Sequence, residues 1–301
     1  MFPIIPANSA AAASGNDEGI FLWGSPDNGT NLISNTGVVA ADTSTPAGAT
    51  ARAYSAATQY GGDKGIVAFG DGGAAGMYDE SNLISNTGVV AADQAATTGT
   101  ARSQPAACSF GGDKGIFGFG YTDNYVGMTN LVSNAGVVAS DTAAVGTARF
   151  GTTACEYGTD TAIFAFGYNG SVLDESNLVT NTGVVGSDVA GVGTDRRLLG
   201  GCSYGYDKGI FAFGYVSGSL NMSNLVSNAG VVASDTAGVG TARGYVEACE
   251  YGQDKGIMGG GETWSATAIT NLVSNTGVVA SDTAAVAGVT ARQAYGACSF
   301  N

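Results

Sequence analysis

Two acidic pairs, Asp79 with Glu80 and Asp174 with Glu175, each sit in the triplet Asp-Glu-Ser and are the side chains whose types and spacing come closest to chemistry. Adjacent loop carboxylates can hold Ca²⁺ or act as the acid and base of a glycosidase, although solvated loop charge is the commoner arrangement. The 301-residue chain has no histidine, which removes His-based triads and histidine metal sites. No P-loop or Cys-x-x-Cys motif stands out. The expectation is therefore a non-enzyme with no cofactor and no metal.

The basic residues are also ordered. Arg52, Arg102, Arg149, Arg196, Arg243 and Arg292 recur at one repeat position, and Lys64, Lys114, Lys208 and Lys255 at another, so only Arg197 of the 11 basic residues stands outside. A repeated acid, at Asp42, Asp93, Asp141, Asp188, Asp235 and Asp282, accompanies the arginines. Such a set is either a ring of cations for an anionic ligand or a set of structural pairs tying one unit to the next. Constant spacing and the bidentate fit of guanidinium to carboxylate favour structural pairs. Cys108, Cys155, Cys202, Cys249 and Cys298 share one repeat position too, which reads as small buried thiols rather than disulfides. A net charge of -14 argues against nucleic acid as a partner.

These positions are set by a period near 47 residues, carried by six copies of Asn-Leu-(Val/Ile)-(Ser/Thr)-Asn-(Thr/Ala)-Gly-Val-Val from Asn31, Asn82, Asn130, Asn177, Asn224 and Asn271. Each unit reads as four short strands: "ACSYG", a turn at "DKG", "IFAFGY", a loop of variable length, "NLVSN", a tight turn and "GVVASD". Along Ile210 to Tyr215, Ile, Ala and Gly alternate with Phe, Phe and Tyr, so one face is small and the other bulky. Sheets of that kind stack on copies of themselves. The expected fold is all-β, a six-bladed β-propeller of four-stranded antiparallel blades; an open solenoid is the alternative.

The order arginine, small-residue strand, apolar strand ending in glycine, variable loop and two further strands resembles kelch-type propellers. It runs through "TARGYVEACEYGQDKGIMGGG" (241–261) and "TNLVSNTGVVASDTAAVAGVTAR" (270–292), without the late tryptophan and strict double glycine of that family. The opening "MFPIIPAN" and the tandem "TNLVSNTGVVASDTAAVGTAR" units resemble segments of bacteriophage tail and fibre proteins. That resemblance implies a virion component, made in the host cytoplasm without a signal peptide and carried on the extracellular particle.

"GACSFN" at 296–301 repeats the start of a unit, and aligning it with its copies places it just before Asn16. The C-terminal strand is thus expected to close the ring by pairing into the first blade. Residues 16–301 form the propeller and 1–15 an arm, with 1–14 free to dock on other virion proteins or a second copy. No basic leader or membrane-spanning stretch is visible, and membrane insertion is not expected.

The repeats differ most in the loop between second and third strands and in the segment after the repeated arginine, which an up-and-down blade places at one end. That end is the candidate binding face, with Tyr121, Tyr125, Tyr168, Tyr215, Trp264, Asp174 and Glu175 as its contacts. The reading is a non-catalytic structural or adhesion protein that binds host glycan or a partner protein; the alternative is a polysaccharide-degrading enzyme using the loop carboxylates.

Overall fold

The computed structural model describes residues 17–95, 97 and 99–300. The arm expected at 1–15, residue Asn16 and the final Asn301 lie outside the described residues. The protein is all-β: eighteen strands form six three-stranded antiparallel sheets, and the described residues contain no α-helix. No helix is long and apolar enough to cross a membrane.

In chain order the strands are β1 (Glu18–Leu22) and β2 (Thr30–Ile33); β3 (Ala56–Tyr60), β4 (Lys64–Ala68) and β5 (Ser81–Ile84); and β6 (Ala106–Phe110), β7 (Lys114–Tyr121) and β8 (Tyr125–Val132). They continue with β9 (Thr153–Tyr157), β10 (Thr161–Tyr168) and β11 (Val172–Val179), then β12 (Gly200–Tyr204), β13 (Lys208–Tyr215) and β14 (Ser219–Val226). The last are β15 (Glu247–Tyr251), β16 (Lys255–Gly259), β17 (Thr270–Val273) and β18 (Gly296–Phe300). Five sheets are consecutive triplets beginning at β3. The sixth is β18-β1-β2, in which Glu18 faces Phe300 and Leu22 faces Gly296.

Each first hairpin turns over three residues, as between Tyr60 and Lys64. Gly61 (φ 65°) and Gly62 (φ 84°) supply the left-handed backbone that this short turn needs. At the same turns Gly61 N–H donates to the Asp113 carbonyl of the next sheet (2.8 Å), and Gly252 N–H to Asp17 (2.9 Å). The first strands neighbour one another in the cyclic order β18, β3, β6, β9, β12, β15 and back to β18.

All six apolar cores are shared between neighbouring sheets. Ile163 and Ala165 of β10 meet Phe211 of β13, and Ile257 of β16 meets Phe21 of β1. Each fully buried Phe contributes about 1.5–3 kcal/mol of transfer free energy. The cysteines explain themselves in the same packing: all five are free and buried. Cys155 Sγ fills the slot left by Gly209, where a Cβ would lie 2.2 Å away.

Two local expectations change. Phe213 does not share a face with Phe211, because the strand bulges between Ala212 and Gly214 and Phe213 takes a φ of 65°. The bulge turns its ring to the side of Ile210 and Ala212. Nor is "GVVASD" a regular fourth strand, since it meets β14 only at the isolated bridges Val226 to Val232 and Ser223 to Thr236. Between them the Asn224 side chain donates to the Ala233 carbonyl at 2.9 Å, taking an acceptor that a ladder N–H would otherwise use.

Candidate functional site

The repeated arginines are spent on the protein. Arg102, Arg149, Arg196 and Arg243 are 0% exposed, and Arg52 and Arg292 nearly so. Arg149 is representative: Nε donates to the Phe166 carbonyl (2.8 Å), one terminal nitrogen to Thr147 O (3.0 Å) and the other to Asn177 Oδ1 (2.6 Å). Its guanidinium lies 4.2 Å from the Phe119 ring centroid, in the preceding sheet. Arg102 sits likewise over Phe69, Arg196 over Phe166 and Arg243 over Phe213, each ring presented by a residue of positive φ. The Arg149 backbone meanwhile bonds to Val126 and Gly120 of that preceding sheet. One residue therefore ties two sheets.

The aspartates stand one step behind. Arg149 to Asp188, Arg196 to Asp235 and Arg292 to Asp42 measure 3.6 Å, and Arg243 to Asp282 3.9 Å, so none is the close bidentate pair expected from spacing. Arg52 reaches Asp93 through Asn82, and Arg102 reaches Asp141 through Asn130. Each arginine and its aspartate also bracket the same sheet, so the pair itself does not cross a boundary between sheets. The missing member is the Asn that opens the "NLVSN" run: at Asn82, Asn130, Asn177, Asn224 and Asn271 its amide accepts from the arginine and donates to the acid, whereas Asn31 donates to Asp42 and Arg292 turns instead to the Gly29 carbonyl. Burial pushes the Asp188 carboxyl up, but hydrogen bonds from Asn177 and Thr147 and the charge of Arg149 outweigh it and hold the group below the ordinary range. Burial also lowers the Arg196 guanidinium to about 10, against the opposing pull of Asp235, which leaves it charged at neutral pH.

The variable segments meet at the other end of the sheets from the constant turns. Bridges from Ser103 to Tyr121, Phe150 to Tyr168 and Arg197 to Tyr215 join the segment after each arginine to the end of the middle strand. There Tyr121, Tyr125 and Tyr168 gather around Phe150, at centroid distances of 5.7, 5.8 and 5.6 Å. Arg197 lies 4.4 Å from the Tyr168 ring and 5.9 Å from that of Tyr215. Beyond it opens a cleft of about 560 Å³ lined by Arg197, Tyr215, Ser219, Tyr245, Glu262 and Trp264. Trp264 is 100% exposed on its wall.

Five of the sequence candidates, the four tyrosines and Trp264, thus border one continuous area. Phe150 and Arg197 belong to it as well. Arg197 was visible as the basic residue outside the repeat; Phe150 carried no signal. Asp174 and Glu175 are not brought into the cleft. They are successive residues of β11, so their side chains leave in opposite directions. Asp174 feels burial and then Asp195, which raise its pKa, while Glu175 acts on Arg149. That separation leaves no paired acid and base at Asp174 and Glu175 on β11.

Along the common axis of the six first strands, one repeat position carries Gln59, Ser109, Glu156, Ser203, Glu250 and Ser299. Burial there pushes the Glu156 carboxyl up to about 8, against a hydrogen bond from Ser109 Oγ at 2.5 Å. Among the described residues no group of three or more Cys, Asp or Glu side chains is arranged to hold a metal ion.

No protein-family model and no curated protein matches the chain.

Proposed function

We propose that the six sheets are the blades of a closed, kelch-like six-bladed β-propeller, and that the chain is a non-catalytic structural or adhesion protein of a phage tail or fibre. In this reading each blade is three regular strands with the bridged "GVVASD" segment as its edge. The pairing of β18 with β1, and the cyclic order of shared cores, support closure. The observation that carries the function is the contrast between the two arginine classes. The six repeated arginines are consumed in holding blades together, whereas the variable end concentrates exposed aromatic surface around a cleft.

Aromatic rings beside hydroxyl and charged groups, in a concave site on a rigid scaffold, suit a saccharide. Trp and Tyr give large contact area at small conformational cost. The virion assignment rests on the resemblance of the repeats, and contacts to other virion proteins are assigned to residues 1–14.

The test is binding to an array of bacterial surface glycans, with release of new reducing ends measured in parallel. Binding without release is expected. Release that disappears in the Asp174→Asn and Glu175→Gln variants would replace the adhesion reading with the enzymatic one.

A further inference from the structure

The geometry points to an acidic saccharide as the ligand of the Arg197 and Trp264 cleft, with Arg197 receiving the carboxylate of a uronate- or sialate-type sugar. The inference rests on the saccharide-binding reading above and deepens it.

Arg197 differs from every repeated arginine in what surrounds its donors. It makes no ion pair and no side-chain hydrogen bond among the described residues, and its buried Nε has no partner. Three rings, of Phe150, Tyr168 and Tyr215, hold the guanidinium at 5.6, 4.4 and 5.9 Å. The rings surround the guanidinium and offer it no hydrogen-bond acceptor, so its N–H groups stay uncommitted. A buried donor without an acceptor costs free energy that a ligand acceptor would recover. The acceptor that fits a fixed guanidinium fork is planar and anionic, which describes a carboxylate.

The rest of the cleft narrows the class further. Trp264, fully exposed, offers an apolar plane on which the C–H face of a pyranose can lie. Ser219 and Tyr245 supply hydroxyls for sugar hydroxyl groups. Glu262 on the same wall accepts from sugar hydroxyls and opposes any ligand with a second negative charge nearby. Together with the chain's net charge of -14, this favours one carboxylate per bound residue over a phosphate-rich polyanion.

The test uses the full chain with three probe sets: oligogalacturonates and sialyllactose, the same sugars after carboxyl reduction, and lactose as the neutral control. Affinity is read by calorimetry and by Trp264 fluorescence. At least one acidic probe is expected to bind, and Arg197→Gln and carboxyl reduction are each expected to weaken that binding at least tenfold. Trp264→Ala, which removes a side chain with no packing role, should weaken acidic and neutral sugars alike and leave the melting temperature unchanged. This second variant keeps the test decisive if Arg197→Gln fails to fold. Equal binding of acidic and reduced sugars would overturn the carboxylate assignment and leave saccharide binding standing. Absence of binding by any sugar probe or array glycan would overturn both.

Discussion

Arg149→Ala is expected to lower the unfolding free energy by about 3–5 kcal/mol, the usual cost of removing one member of a buried charged network. The side chain is 0% exposed, and its loss leaves the Phe166 and Thr147 carbonyls and Asn177 Oδ1 without their donor. Each orphaned acceptor costs about 1–3 kcal/mol, although relaxation and water entry recover part of it. The ring of Phe119 also loses the cation stacked on it. For a chain of this size the melting temperature should fall by on the order of 10 °C. Calorimetry or circular dichroism checks this. An unchanged melt accompanied by lost ligand binding would show that the repeated arginines face a ligand rather than each other's sheets.

The second large effect is on pH dependence. Glu156 has its folded pKa raised from 4.5 to about 8, chiefly by burial, so the folded state holds this proton more tightly than the unfolded chain. Its contribution to stability is then fully present below about pH 4.5, declines as pH rises towards 8, and is absent above. The loss is of the order of a few kcal/mol, moderated by solvent around the axial residues. Glu247, raised by burial at the mouth of the same axis, adds a slope of the same sign.

Asp42, Asp93, Asp141, Asp188, Asp235 and Asp282 work in the opposite sense. Burial raises each, but hydrogen bonds win and depress their folded pKa values, so their stabilisation is lost as pH falls below the carboxylate range. Stability should therefore peak in mildly acidic buffer. Glu156→Gln copies the residue that sheet β3-β4-β5 already carries at this position, Gln59. It should raise the melting temperature at pH 8 while changing little at pH 5. Parallel curves for variant and parent would show that Glu156 is ionised in the folded protein.

Much of this was legible because the chain repeats itself. Six copies of one hairpin pattern located the strands, and alternation along "IFAFGY" located the two packing faces. The equivalence of "GACSFN" to earlier strands put β18 beside β1. What alternation could not reveal was the bulge at Phe213, since a positive φ in a bulky residue depends on the arginine stacked against its ring and not on its own strand. The Asn relay was hidden for a related reason: Asn224 read only as the first residue of the third strand, and nothing along the chain shows that it is buried and bonded to Arg196 and Asp235.

At the candidate site, variation among the loops located the face, but the grouping of its side chains was a tertiary matter. Tyr168 and Tyr215 come from different sheets and are brought together by Arg197. The axial carboxylates were invisible because Ser, Gln and Glu exchange freely at that position, and only the convergence of six strands makes it confined.

Closure is the claim on which the rest depends, because it fixes both the shared cores and the single variable face. It is tested most directly by the distance between nitroxide labels at Thr36→Cys and Gln253→Cys, with the five native thiols buried and unlabelled. Asn35 O and the Gly252 backbone are in contact across the first and last sheets, so a closed ring gives one narrow distance below about 20 Å. An open stack of six sheets, spaced about 10 Å apart, would give a distance near 50 Å and contradict the account.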